Sequence, residues 1–293
     1  MADWYDVNYR DTLTYVSDQN EAVVFDMQGS DFFLTAAAGL SGIENDIYDS
    51  AGAGQDGATV RAARIKPRLI TVEGEIRRNT RVNRSALLRV LNPKVKGRLY
   101  YSNGDTNRVI DCLIKTAPII SKLQFQPFQI ELYCPFPLWR DLVPASEIIA
   151  QWIPMLKFPL VSKIGVGFKF GQRSPSLIVD VHNQSTVEVG LRAQFRALST
   201  VVNPSLTNIT TGETLKLQTE MQAGDVLDVT TTYMGKQVTL TRNHIPSNGF
   251  RFVAEDSDWL QLRPGINQIR YNADSGLDWL EVTLYYDTLY LGV

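Results

Sequence analysis

Residues 60–101 read VRAARIKPRLITVEGEIRRNTRVNRSALLRVLNPKVKGRLYY and predict a strand, a helix and a strand in succession. In the first strand Ile70, Val72 and Ile76 alternate with polar or charged neighbours, which is typical of a strand with one buried face. The second strand follows the helix and ends at Tyr101. The rest of the chain shows mostly strand patterns, so this stretch decides how one helix is built into a β fold.

The helix is predicted from apolar residues that recur at helical spacing, namely Val82, Ala86, Leu87, Val90 and Leu91. Thr80 or Asn83 is a suitable residue to cap its start. Asn92 and Pro93 are expected to end it, because proline cannot continue a helix.

The same stretch carries an unusual charge. Twelve lysines or arginines and two glutamates lie between Arg61 and Arg98, a local balance of +10 in a chain whose net charge is −2, so the remainder carries −12. A separation of this size indicates an assembly surface as well as a solvated face.

Composition limits the class of protein. The 293 residues predict one large or two medium domains. No apolar run approaches the roughly 20 residues that a membrane helix needs. The polar N-terminus is unlike a signal peptide, so we expect cytosolic synthesis without export and no membrane partner. Cys112 and Cys134 lie on the apolar faces of alternating strands and are predicted to be buried thiols without a disulfide.

Residues 41–57 are rich in glycine and aspartate and predict a long loop. The spacing of Glu44, Asp46 and Asp49 does not match an EF-hand, so no metal is predicted there. Further along, Asn103-Gly104 lies between two alternating strands and predicts a hairpin.

A junction between domains is predicted near the middle of the chain. Six of the 13 prolines fall between Pro135 and Pro175. A short helix is predicted over residues 145–152 and an extended segment over 157–170. Beyond residue 176, alternating strands are separated by glycines at regular intervals, which predicts an antiparallel β-sandwich.

A search for catalytic groups finds no motif, and no enzyme, cofactor or metal site is predicted. His182 and His244 are expected on the surface. Asp225 and Asp228, or Asp256 and Asp258, resemble paired glycosidase carboxylates, but turn chemistry explains them without catalysis.

Two binding interpretations remain open. Trp259 and Trp279 are candidate glycan contacts in the sandwich. The basic stretch would suit nucleic acid, but no RNP motif accompanies it and the pI is 5.8. We therefore predict contacts between subunits in which a basic set meets an acidic set, the residues being Arg77, Arg78, Arg81 and Arg84 for the first and Glu44, Asp46, Asp49 and Asp56 for the second.

The order and spacing of several short motifs resemble the distal tail proteins (Dit) of siphophages, the long-tailed phages with non-contractile tails, that infect Gram-positive bacteria. The motifs are GQDG (54–57), RLITVEGEI (68–76), LRVLNPKVKGRLYY (88–101), FPLV (158–161), NPSLTNITTGE (203–213), DSDWLQLRPGIN (256–267) and YLGV (290–293). Together they extend the resemblance from about residue 20 to the end of the chain.

This resemblance implies a mainly β fold: an N-terminal β-sandwich or barrel-like domain with one α-helix and a protruding hairpin, and a C-terminal sandwich like those of galectins and carbohydrate-binding modules. The corresponding expectation is a ring-forming domain over 1–140, a linker over 141–158 and a sandwich over 159–293.

In function, the resemblance implies a structural hub of the phage tail tip in the virion. A homohexameric ring would join the tail tube protein to a tail-associated fibre or lysin-type tip protein, and its channel would carry DNA during ejection. Receptor-binding proteins are possible further partners. The alternative is a carbohydrate-binding, host-recognition module of the tail tip.

Overall fold

The computed structural model describes residues 4–5, 8–121, 125–150, 152–154, 171–173, 177–233 and 235–293. The chain forms two compact units. Unit 1 comprises Met1–Leu142 together with Leu289–Val293, and unit 2 comprises Val143–Thr288. The extended segment predicted over 157–170 lies outside the described residues, as does part of the predicted linker.

The elements of unit 1 up to residue 141 are β1 (Trp4–Tyr5), β2 (Thr12–Ser17), β3 (Ala22–Asp26), β4 (Phe32–Ala38), β5 (Asn45–Ser50), β6 (Thr59–Ile65), β7 (Arg68–Ile76), α1 (Thr80–Val90), β8 (Lys96–Ser102), β9 (Asn107–Ile120), β10 (Pro127–Cys134) and β11 (Trp139–Asp141).

Seven of these strands close into a barrel in the order β10-β7-β4-β3-β2-β8-β9. Closure occurs because β10 pairs antiparallel with both β7 and β9. The neighbouring pairs are antiparallel except for β3 and β4, which are parallel. Closure removes exposed sheet edges, which are otherwise sites of aggregation. The barrel-like domain implied by the resemblance is therefore confirmed.

The barrel core is filled by aliphatic and aromatic side chains, among them Leu13, Tyr15, Phe25, Ile70, Val72, Leu99, Tyr101 and Phe128. Cys112 and Cys134 belong to this core and are free thiols, as predicted. Burial raises the pKa of the Cys134 thiol to about 12, so it stays protonated and unreactive at neutral pH.

Helix α1 spans Thr80–Val90 and is the one α-helix of the residues that the structure describes. Leu87, Val90 and Leu91 are buried in the barrel core, as the periodicity predicts. Val82 was also placed on this apolar face, and there the prediction was wrong, because its side chain is 70% exposed.

The start of α1 also differs from the prediction. Asn79, in the left-handed conformation, is the N-cap residue, and no side-chain cap is present. Asn83 instead donates from Nδ2 to the carbonyl oxygen of Arg78.

Residues 45–65 form a hairpin rather than part of a loop. Strands β5 and β6 pair antiparallel as a separate two-stranded sheet, from Asn45 opposite Ile65 to Ser50 opposite Thr59. We call residues 45–65 the arm. The loop was predicted from the glycine and aspartate content of the stretch. The strands were missed because most of their side chains are exposed, so apolar and polar residues do not alternate. The protruding hairpin implied by the resemblance corresponds to this arm.

Unit 2 contains β12 (Ala145–Ala150), β13 (Trp152–Pro154), β14 (Gly171–Arg173), β15 (Ile178–Asn183), β16 (Val189–Ala197), β17 (Val201–Asn208), β18 (Glu213–Lys216), β19 (Glu220–Met221), β20 (Val226–Thr230), β21 (Gln237–Arg242), β22 (Ile245–Asn248), a 3₁₀ turn (Phe250–Phe252), β23 (Gln261–Leu262), β24 (Gly265–Ser275), a 3₁₀ turn (Leu277–Trp279) and β25 (Leu280–Tyr286). The last strand, β26 (Leu289–Tyr290), returns to unit 1.

Unit 2 is a β-sandwich, as predicted. One sheet has the order β12-β25-β16-β20-β21-β22, and the other has the order β15-β24-β17-β18. Their inner faces bury residues such as Phe195, Leu206 and Tyr271. The helix predicted over 145–152 was wrong, because Ala145–Ala150 pairs with β25 and tertiary pairing overrides local preference.

The end of the chain is fastened to unit 1 by two arginines. Buried Arg68 donates to the carbonyl oxygens of Gly39 at 2.6 Å and Pro137 at 2.8 Å, and to that of Leu291. Arg108 donates to the carbonyl of Gly292 at 2.7 Å and lies 3.3 Å from the ring centroid of Tyr290. These contacts hold β26 beside β11.

Within the described residues no helix is long and apolar enough to cross a membrane.

Candidate functional site

The exposed side of α1 and the two residues before its cap form a surface that we call the basic face: Arg77, Arg78, Arg81, Val82, Arg84 and Leu88. Arg78, Arg81, Val82 and Leu88 are exposed. Val82 and Leu88 are the exposed apolar side chains of this surface, and arginine is among the residues enriched at protein interfaces.

The four predicted arginines differ in how they are held. The guanidinium of Arg77 lies 3.3 Å from the ring centroid of Phe33 and forms an ion pair with Glu75 at 3.1 Å. Arg84 makes a long hydrogen bond of 3.4 Å to the carbonyl of Ile120. Arg78 and Arg81 have no ion pair or side-chain hydrogen bond among the described residues, so their guanidinium groups are open to an external acceptor.

The start of helix α1 adds positive charge to the basic face. The first turn of α1 contains no acidic residue. Its unpaired backbone N–H groups carry partial positive charge, so arginine at this end costs about 0.3–1 kcal/mol of helix stability. A locally unfavourable choice of this kind is expected where a residue serves a contact.

The predicted acidic set lies on or beside the arm, where part of it has partners in the same chain. Arg64 pairs with Asp46 at 3.1 Å, and Lys66 pairs with both Glu44 and Asp46 at 3.4 Å. Desolvation tends to raise the pKa of Asp46. Hydrogen bonds from Arg64 and Lys66 outweigh this effect and hold the pKa below its ordinary value.

The structure thus joins Glu44 and Asp46 to basic residues of their own chain. Asp49 and Asp56 are exposed, without an ion pair among the described residues. The contact of the acidic set with the arginines of a second copy stays a prediction.

The arm also exposes apolar side chains that the sequence did not single out. Ile47 is 63% and Val60 is 62% exposed; Ile47 lies opposite Ala63, and, after a register shift, Val60 lies opposite Asp49, which shares the face of Ile47. Two-stranded hairpins are marginally stable alone in water. The apolar face of the arm is therefore a candidate contact surface.

No group of three or more histidine, cysteine or carboxylate side chains suited to a metal ion occurs in the part of the chain that the structure describes. His182 and His244 are exposed, as predicted. Asp228 forms an ion pair with Arg192 at 2.9 Å, and Asp258 accepts a hydrogen bond from the backbone N–H of Thr214.

Asp225 is a structural carboxylate in the turn before β20. It is buried, pairs with Arg242 at 2.6 Å and accepts the backbone N–H of Gln222 at 2.9 Å. Desolvation would raise its pKa, but these hydrogen bonds and the charge of Arg242 hold the pKa below its usual value. The carboxylate therefore stays ionised at neutral pH and serves to tie β20 to β21.

Replacing Asp225 with Asn should destabilise unit 2 by about 2 kcal/mol at pH 7, since a charge-assisted bond is lost. A carboxylate whose pKa is lower in the folded than in the unfolded state stabilises the fold. This stabilisation is fully present above the pKa of the unfolded state, about 3.9, and is lost as the pH falls through the pKa of the folded state. Urea unfolding at pH 7 and pH 3 should therefore show a smaller difference between variant and wild type at pH 3. Asp274→Asn, at an exposed pair with Lys216, is the control and should change little. An equal deficit at both pH values would contradict this assignment.

The two predicted glycan contacts lie on separate segments. Trp259 precedes β23, packs on Phe250 with 5.7 Å between ring centroids, and has the Nζ of Lys236 5.1 Å from its own ring centroid. Trp279 ends a 3₁₀ turn and is 48% exposed. No ring contact joins the two tryptophans among the described residues, and glycan contact by either stays a prediction.

Comparison with known proteins gives consistent matches for both units. Residues 27–134 match the family model described as phage tail protein RIFT-related domain. Residues 184–290 match the model described as siphovirus-type tail component, C-terminal domain. No curated protein sequence matches the chain.

Solved structures share the fold over nearly the whole length. The SPP1 Dit protein, described as a paradigm of hub adsorption apparatus in phages infecting Gram-positive bacteria, is 12% identical with a TM-score of 0.66, over 95% of this chain and 99% of that one. A chain of the phage p2 baseplate, in its activated conformation with Ca, is 10% identical with a TM-score of 0.53, over 97% and 99%.

Proposed function

We propose that this chain, which belongs to the distal tail protein family of siphophages and is a structural component of the tail tip, assembles into a homohexameric ring through unit 1. The ring is the hub that joins the tail tube to the tip or baseplate proteins. Its central channel lets DNA pass during ejection. The ring binds and positions the other tail proteins, and we expect it to have no lytic activity on peptidoglycan.

The observation that carries this proposal is that unit 1 displays two unlike exposed surfaces. One is the basic face with the open guanidinium groups of Arg78 and Arg81. The other is the arm with its exposed apolar face at Ile47 and Val60. A ring requires a heterologous interface, in which one patch of a subunit meets a different patch of the next and the rotation closes.

Each surface supplies a different part of the contact. The apolar face of the arm loses water when it packs on a neighbour, which provides affinity. The arginines find acidic acceptors, and Asp49 and Asp56 are candidates because their carboxylates have no ion pair among the described residues. Charge complementarity then selects the register between copies.

The two ends of such a ring have different partners. We propose the tail tube protein on one side and a tail-associated fibre or lysin-type tip protein on the other, with receptor-binding proteins at the periphery. The location is the tail of the virion, after synthesis in the host cytoplasm. DNA contacts the channel only in transit, and no membrane is involved.

Replacing Ile47 and Val60 together with Ser should weaken assembly about 100-fold, because each lost apolar contact is worth about 1.5 kcal/mol. Sedimentation velocity across a dilution series measures the effect. The double variant Ile178→Ser and Ile266→Ser, two exposed strand positions of unit 2, is the matched control and should assemble as wild type. Equal sedimentation of both double variants would remove the arm from the interface.

A second candidate function is recognition of host saccharides by unit 2. The observation that favours it is a polar, outward-facing sheet surface on which guanidinium, amide and carboxylate groups are held by one another. Saccharide binding is compatible with a place in the tail tip and is tested separately from assembly.

A further inference from the structure

The larger sheet of unit 2 has an ordered polar cluster on its outward face. Arg192 and Gln194 lie on β16, Asp228 on β20 and Tyr285 on β25. In the register, Arg192 is opposite Tyr285, and Gln194 is opposite Asp228. We call these four residues the sheet-face cluster. Alternate residues of each strand point inward to the core, so these side chains share the other face.

The members of the cluster fix one another. Asp228 Oδ1 accepts hydrogen bonds from Arg192 Nε at 2.9 Å and from Gln194 Nε2 at 3.2 Å. The guanidinium of Arg192 lies 5.0 Å from the ring centroid of Tyr285. The side chains of Arg192 and Asp228 remain 49% and 26% exposed. The result is a set of polar groups held in place before any ligand arrives, which reduces the entropy lost on binding.

Unused hydrogen-bonding capacity faces outward. Among the described residues, Arg192 uses only its Nε, Gln194 only its Nε2 and Asp228 only its Oδ1 in side-chain hydrogen bonds. Terminal guanidinium N–H donors therefore lie beside an open carboxylate oxygen and the amide oxygen of Gln194. Adjacent hydroxyl groups on a sugar ring each donate and accept, so they match such a row of alternating donors and acceptors. The face of Tyr285 adds an apolar surface for C–H groups.

The pairing of the charged side chains on this face favours a neutral ligand over an anionic one. Arg192 is compensated by Asp228, and the next arginine on β16, Arg196, lies 3.6 Å from Glu281. A strongly anionic polymer would gain little from a surface whose charges are paired. A neutral polyhydroxyl ligand would gain charge-assisted hydrogen bonds without displacing either ion pair.

We infer that the sheet-face cluster is a binding site for neutral saccharides. The inference rests on the second candidate function and locates it at Arg192, Gln194, Asp228 and Tyr285 rather than at the tryptophans that the sequence suggests. Phage adsorption would use such a site for contact with neutral sugars of the host surface.

Saturation-transfer NMR on the full chain tests this site and remains usable if the protein is a large ring. The probes are N-acetylglucosamine, glucose, galactose and rhamnose, with oligomeric glycerol phosphate as the anionic contrast. We expect a signal from at least one neutral sugar. Gln194→Ala and Tyr285→Ala should each weaken it at least about tenfold, which corresponds to the loss of one good contact.

Matched controls lie on the outward face of the other sheet. Gln268→Ala removes the same side chain as Gln194→Ala, and Arg270→Ala removes a second polar side chain, both from exposed positions of β24, and both should leave the signal unchanged. Loss of signal in Trp279→Ala, with Gln194→Ala and Tyr285→Ala unaffected, would keep saccharide binding and overturn the site. No signal from any neutral sugar, or a signal from glycerol phosphate alone, would overturn both.

Discussion

Replacing Arg68 with Met is expected to destabilise unit 1 by about 4 kcal/mol, because three carbonyl groups lose a charged donor and each such loss costs about 1–3 kcal/mol. The guanidinium of Arg68 joins Gly39, Pro137 and Leu291, which lie 29, 69 and 223 residues away along the chain. Differential scanning calorimetry should show the transition of unit 1 lowered by about 10 °C. Arg68→Lys should recover little, since one ammonium group cannot reach three carbonyls that a planar fork spans.

The matched control is Arg98→Met on β8. Arg98 is exposed and has an ion pair with Asp111 at 3.3 Å, so its loss should cost less than about 1 kcal/mol. If Arg68→Met and Arg98→Met melt at the same temperature, Arg68 does not fasten the C-terminal segment in the way described.

Reversing Arg78 and Arg81 to Glu should abolish assembly at concentrations where wild type is oligomeric, weakening association by at least about 100-fold through the loss of two charge-assisted contacts. The same change should leave the isolated fold as stable as wild type or more so. Glutamate near the start of α1 interacts favourably with the helix dipole, by about 0.3–1 kcal/mol per residue. Sedimentation velocity should therefore show weaker assembly, whereas thermal unfolding at concentrations where wild type is monomeric should show equal or higher stability.

The control for this reversal is Arg251→Glu with Arg270→Glu, which makes the same charge change at exposed arginines of unit 2. Assembly of that variant should match wild type. An undisturbed oligomer in Arg78→Glu with Arg81→Glu would show that the basic face is not part of the interface.

Local periodicity was sufficient to predict the elements that have one buried face. The alternation of Ile70, Val72 and Ile76 and the helical spacing of Leu87 and Val90 reflect burial against the same barrel core. Val82 fits the same period, yet its side chain is open to solvent at the start of α1. The spacing of apolar residues shows which side of the helix each residue lies on. It does not show whether the barrel extends far enough to cover that residue.

The candidate contact surfaces were less predictable, because their features arise from pairing across the chain. The arm has no buried face, and its glycines and aspartates indicated a loop. Glu44 and Asp46 were predicted as acceptors for another copy, whereas ion pairs with Lys66 and Arg64 engage them at the base of the arm. Opposite charges facing each other, as Asp46 and Arg64 do across β5 and β6, are compatible with strand pairing, but the loop prediction did not use them.

Arg68 shows a second limit. In the sequence it counts among twelve basic residues of a surface stretch, but in the fold it is buried and satisfied by backbone carbonyls. Its partners come from three distant segments, so no local pattern marks it. The sheet-face cluster likewise depends on the register of β16, β20 and β25, which one sequence does not reveal.

Negative-stain imaging of the purified 293-residue chain at micromolar concentration tests the account most directly, supported by mass photometry of the same sample. The account predicts closed rings with a central opening and a mass close to six times 32.9 kDa. A single species at 32.9 kDa throughout the concentration range, with no ring in any class average, would contradict it.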